Sequence, residues 1–250
     1  MTQKTSTSTS TRLALTAISI SLVCVATMVF SIYVPQTRGF FNLGETMVYT
    51  VALLLGPLIG SVAGGVGSMF ADVLLGYYHF APATLVIKAL EGGIVGFLGK
   101  KRTAFAESHT KLEWKIFTTE MGVLVGILLG LMGFLYYSGF VEVYSGVISP
   151  ETPTLTIFVP AEFWFGLGAF VAVLVTIIAF ISEPEFGWMI ISTIFGGLLM
   201  VAGYFLYEQL FLGVFALAEV PVNIGQMSVG LIVATPIVKV VRRALPQLKS

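Results

Sequence analysis

The stretch NLGETMVYTVALLLGPLIGSVAGGVGSMFADVLLGYYHFAPATLVIKALEGGIVGFLG, residues 42–99, decides the fold. It is almost wholly apolar, yet Glu45, Asp72, Lys88 and Glu91 stand inside it or at its edge. Ionisable groups are costly in hydrocarbon and persist there mainly when they face a bundle interior or a wet cavity. The run 46–76 would measure roughly 45 Å as one helix at about 1.5 Å per residue, too long for a ~30 Å core. Gly56-Pro57 and Gly60 supply a turn that divides it. The expected elements are a short helix at about 45–57, a second at about 60–77 and a third at about 83–99. The aromatic segment 77–82 then lies at headgroup level between the last two. In this arrangement the ionisable groups help line a solute pocket in a membrane bundle.

The composition agrees. The chain is 56% hydrophobic and 10% charged, with a mean hydropathy of +0.95, whereas soluble domains carry about 25% charged residues. The single cysteine, Cys24, can form no internal disulfide. Val23 precedes it where a lipoprotein cleavage site takes a small residue, so Cys24 reads as packing.

Residues 1–12 are polar and Ser/Thr-rich, the composition of a disordered tail. Residues 13–34 are long enough to form helix 1; the run exceeds a secretory apolar region, and no A-x-A-like site follows it. Residues 33–41 read as a loop broken by Pro35 and Gly39. Four further helices are expected at about 116–137, 159–181, 187–208 and 222–241, giving eight crossings. Of the 13 lysines and arginines, all but Arg38 and Lys88 then fall on one side. The positive-inside rule makes that side cytoplasmic and places both termini there.

With orientation assigned, Lys88 lies ~9 Å and Glu91 ~14 Å below the outer start of helix 4. Three residues apart, they share a helix face and can pair. Glu45 opens helix 2 and Asp72 stands about one turn from the outer end of helix 3. Tyr204, Tyr207 and Glu208 approach the outer end of the seventh helix, and Asn223 and Gln226 open the eighth. Five helices thus send polar groups into one leaflet half.

Each group also has a plainer role: an intrahelical pair for Lys88 and Glu91, a backbone or Lys88 bond for Asp72, or a helix-dipole partner for Glu45. Glu208 could be solvated, and Asn223 and Gln226 could join helices. The convergence carries the pocket reading. On the cytoplasmic side, Ala17 and Ser21 form a small-residue strip, and Gly56, Gly60, Gly64 and Gly122, Gly126, Gly130 repeat the spacing. By spacing alone, internal packing explains these more simply than docking of another membrane protein.

Several chemistries are missing. Gly99-Lys100 lacks the rest of a phosphate-binding loop, with Ile94 and Lys101 at the positions that need Gly and Ser/Thr. No HExxH occurs, and His79 and His109 fall on opposite sides, which argues against a His-based metal site or nucleophile. Nothing resembles a nucleic-acid module. No cofactor is expected.

Asn42-Leu43-Gly44-Glu45 opens a block that resembles the substrate-binding S components of energy-coupling factor (ECF) vitamin transporters. The resemblance continues in GPLIGSVAGGVGSMFADVLLGY (56–77), APATLVIKALEGGIVGFLG (81–99), GGLLMVAGYFLYE (196–208) and EVPVNIGQ (219–226). It looks most similar to the branch assigned to hydroxymethylpyrimidine, a thiamine precursor, or riboflavin. The resemblance implies an all-α, polytopic membrane bundle that binds a vitamin-like solute and is not an enzyme. Its pocket would lie near the outer face, closed by the loop after helix 1. Its partners would be a membrane coupling (T) subunit and two cytoplasmic ATPases.

Carried across, Glu45, Lys88, Glu91, Tyr204, Glu208, Asn223 and Gln226 are the pocket candidates. Ala17 and Ser21 would dock the coupling subunit, with Ser in place of the strip's second Ala. Residues 13–102 and 187–250 would supply a six-helix core and its cytoplasmic tail, and 103–186 an insertion with two additional helices. Two rivals stand beside this reading. An ion-coupled secondary transporter would use Asp72, Lys88 and Glu91 as a proton relay, and an intramembrane enzyme would use the carboxylates as acid and base.

Overall fold

The computed structural model describes residues 9–35, 37–101, 111–145, 155–181 and 184–245. Its helices are α1 (Thr9–Val29), α2 (Gly44–Leu55), α3 (Pro57–Leu75), α4 (Ala81–Lys100), α5 (Lys111–Tyr137), α6 (Ala161–Ile181), α7 (Pro184–Leu212) and α8 (Glu219–Ala244). Helices α1, α3, α4, α5 and α6 are each long and apolar enough to cross a membrane. The apolar stretch Gly187–Ala244 holds most of α7 and all of α8, with the 3-10 turn Gly213–Ala218 between them. Helix α2 has 12 residues, about 18 Å of rise, and does not span the core alone.

The break between α2 and α3 forms where the sequence places it. Gly56 caps α2 with φ 88°, a left-handed value that costs glycine little, and Pro57 opens α3. Helix α1 departs from expectation at both ends. Thr9–Arg12, assigned to the tail, are already helical, and residues 1–8 lie outside the described residues. The helix ends at Val29, and Ser31–Val34 (β1) pairs antiparallel with Gly39–Asn42 (β2). The expected loop is therefore a hairpin, in keeping with the β-propensity of Ile32-Tyr33-Val34 and Phe40-Phe41. Its turn is closed by the Arg38 amide donating to the Val34 carbonyl at 2.8 Å.

A second hairpin, Gly139–Ser145 (β3) with Leu155–Val159 (β4), was not legible in the sequence. The sheet order is β2-β1-β3-β4, with Ile32 opposite Ser145 and Tyr33 opposite Tyr144. The first hairpin is thereby joined edge to edge to the segment between α5 and α6.

Glycines set the helix spacing. A Cβ on Gly92 would strike the Gly60 backbone, and one on Gly64 would lie 2.8 Å from the Lys88 carbonyl. Helices α3 and α4 therefore cross almost backbone to backbone. Gly122 and Gly126 seat α5 against Val175 and Gly168 of α6 in the same way. These glycines thus serve internal packing. One core cluster gathers Val23, Val48, Tyr49, Ala63, Val95 and Ala234 from α1, α2, α3, α4 and α8. A second joins Ile87, Ile190, Ile194, Ile224 and Met227 to Val125 and Val171 of α5 and α6. At the C-terminal end of α4, Trp188 Nε1 donates to the Leu98 carbonyl at 2.6 Å, and Arg242 Nη2 donates to the Leu53 carbonyl at 2.5 Å.

Candidate functional site

The α3–α4 crossing places Lys88 deep in the bundle, 4% exposed, facing α2. Its ammonium pairs with the Glu45 carboxylate and, at 3.1 Å, with Glu91 Oε2 on the next turn. Tyr49 donates from its hydroxyl to Glu91 Oε1 at 3.0 Å. Glu45 caps no backbone amide: Oε1 takes the Lys88 ammonium, and Oε2 accepts no hydrogen bond. The ammonium also lies 5.7 Å from the centre of the Tyr204 ring, and Tyr204 donates to Thr84 Oγ1 at 3.0 Å.

The hairpin β1–β2 closes the outer side. Gln226 Oε1 accepts from the Asn42 amide at 2.6 Å, while its Nε2 donates to Asn223 Oδ1 at 3.0 Å. Asn42 Oδ1 accepts from the Gly44 amide at 2.8 Å and fixes the chain's turn into α2. Thr37, at the hairpin tip, donates its hydroxyl to Glu219 Oε2. A Cβ on Gly39 would lie 3.0 Å from Glu219 Oε1, a tight fit that the carboxylate would have to relieve by shifting. Phe40 stacks on Tyr77 with ring centres 4.4 Å apart, within a buried cluster that includes Tyr33 and Phe80. Burial pushes the Tyr77 phenol up to about 12, with Tyr33, Asp72 and Glu219 adding to the effect, so this ring is neutral in any physiological medium.

Between the hairpin and the Lys88 cluster lies a cavity lined from α1, α2, α3, α4, α7 and α8. Only about 40 Å³ of it can be reached by the centre of a water molecule. That suffices for a few waters and is far below the several hundred Å³ of a typical small-molecule pocket. A vitamin-sized guest therefore requires the walls to part. Among the described residues, no group of three or more His, Cys, Asp or Glu is arranged to hold a metal ion.

A family model for the S component of ECF-type riboflavin transporters matches residues 7–182. The chain belongs to this family. It is accordingly a multi-pass protein of the cell membrane and a transporter component rather than an enzyme. It is also 40% identical over 130 residues to an uncharacterized protein from Pyrococcus woesei, a match that covers 50% of this chain and 87% of that protein. The family match takes in α1 to α6 and ends before α7 and α8.

Six of the seven residues singled out for this S component's pocket reach the cavity wall: Glu45, Lys88, Tyr204, Glu208, Asn223 and Gln226. Glu91 lies behind Lys88, fully buried. Sequence reasoning left out several other wall residues. Thr84 stands one turn before Lys88 on the same face of α4, a signal that was available. Glu219 opens the quoted EVPVNIGQ block but was passed over. Phe40, in the segment expected as a loop, faces the cavity, whereas Tyr78 stays 68% exposed. Thr27 and Ser68 reach it from α1 and α3 with no distinguishing pattern. Ala17 and Ser21 are exposed on α1, away from its buried line Ser19, Val23 and Thr27.

Proposed function

We propose that the chain captures a small vitamin or vitamin precursor, hydroxymethylpyrimidine-like or riboflavin-like, from the outer side of the membrane. Uptake would then be driven by ATP hydrolysis in partner subunits: a membrane coupling subunit and two cytoplasmic ATPases. The observation that carries the reading is the ring of buried polar side chains around a cavity beneath an aromatic hairpin. Such groups orient a solute by hydrogen bonds while apolar and aromatic walls cover its ring.

In this reading Glu45, Lys88, Tyr204, Glu208, Asn223 and Gln226 meet the solute, and Glu91 holds Lys88 in place. The hairpin swings away to admit the guest, because the cavity is otherwise too narrow. Ala17 and Ser21 dock the coupling subunit on the exposed face of α1, and residues 103–186 form an insertion beside a six-helix core.

The test is equilibrium binding of hydroxymethylpyrimidine and riboflavin to the purified full chain in nanodiscs without ATP. Saturable binding of one of them is expected, weakened about tenfold or more by Glu91→Gln and by Asn223→Ala in protein that still elutes as a folded species. A second reading, an ion-coupled secondary transporter, draws on the Lys88 ammonium held between two carboxylates. Gradient-driven uptake into liposomes lacking any ATPase would favour it.

A further inference from the structure

The charge of the cavity wall narrows what the guest can be, an argument that rests on reading the cavity as the solute site. Four carboxylates, Glu45, Asp72, Glu208 and Glu219, reach the wall against one ammonium, Lys88. That ammonium is already shared by Glu45 and Glu91. Glu219 has the Thr37 hydroxyl. Three oxygens are left: Glu45 Oε2, Asp72 Oδ2 and Glu208 Oε2 accept no hydrogen bond, although their residues are only 1%, 4% and 1% exposed. They come from α2, α3 and α7, and all three residues face the one cavity.

A buried carboxylate oxygen without a donor is among the more costly arrangements in a protein, and three around one space ask for a shared partner. The partner that fits is a cation. The rings of Phe40, Phe80 and Tyr204 line the same cavity, and an aromatic face attracts positive charge electrostatically. Waters or neutral donors would fill the hydrogen bonds of the three oxygens but would leave four wall carboxylates set against a single ammonium.

We propose that the solute carries a positively charged nitrogen, an ammonium or a cationic ring nitrogen, seated among Glu45, Asp72 and Glu208.

Four probes test this on the full chain in nanodiscs by equilibrium binding. Two form a matched pair: hydroxymethylpyrimidine and its aminomethyl counterpart, in which an ammonium replaces the hydroxyl. The others are thiamine, a permanent cation, and riboflavin, which is neutral. The expected result is that a cationic probe binds about tenfold or more tighter than its neutral counterpart, and that Glu208→Gln or Asp72→Asn brings that ratio towards one. If the neutral probes bind as tightly as the cations, the cation preference is overturned while the vitamin-binding role stands. A ratio unchanged in both variants also overturns it. If none of the four binds, the solute-site reading fails and this inference fails with it.

Discussion

At the scale of single residues, the site turns on Lys88. Its partner three residues on, Glu91, was readable from helix spacing alone, and the pair forms at 3.1 Å. Its other partner, Glu45, is distant in sequence, and spacing within one helix carries no sign of it. Local reasoning gave Glu45 a plausible role at the start of α2, but the tertiary contact wins because an ammonium in hydrocarbon needs more than one anion to offset its lost hydration. Replacing Lys88 by Met should therefore leave two buried carboxylates facing each other. Losing one partner of a buried ion pair costs about 3–5 kcal/mol. Thermal unfolding of the purified variant should show a markedly lower midpoint than the parent. An unchanged midpoint would mean that the cluster does not hold α2 against α4.

At the scale of elements, the helices were legible and the sheet was not. Apolar length and the Gly-Pro break located the helices to within a few residues, because each is a local run of one chemistry. Strands β1 and β2 are only four residues long, and β1 lies directly after a membrane helix, so it shows too little alternation to separate from helix 1. The pairing of Tyr33 with Tyr144 joins parts of the chain far apart in sequence, which no periodicity encodes. Glycine spacing was readable as packing, and contact geometry now says which positions are strict. Gly92→Leu should prevent α3 and α4 from crossing and abolish recovery of monodisperse protein, since its side chain would meet Gly60 backbone rather than a movable group. Gly166→Ala, where an added Cβ meets nothing within 4 Å, should be recovered at parental yield. Equal recovery of the two variants would contradict the crossing.

At the scale of the whole molecule, the positive-inside rule is what would orient the bundle, with both termini in the cytoplasm. Labelling can check it. In a Cys24→Ser background, Tyr78→Cys should react with a membrane-impermeant maleimide on intact cells, and Arg243→Cys only after permeabilisation; the reverse pattern would invert the bundle. What composition could not foretell is how the outer end closes. The hairpin is pinned to α8 through Gln226 and Glu219 and flanked by β3, and together these reduce the cavity to room for a few waters. The central claim is that this closed end is a binding site for a small organic solute. Mass spectrometry of the small molecules that co-purify with the full chain tests it most directly. One heteroaromatic solute, retained at close to one per chain and lost from the Asn223→Ala variant, is the predicted result. A chain that retains no solute, or a solute held equally by the variant, would contradict it.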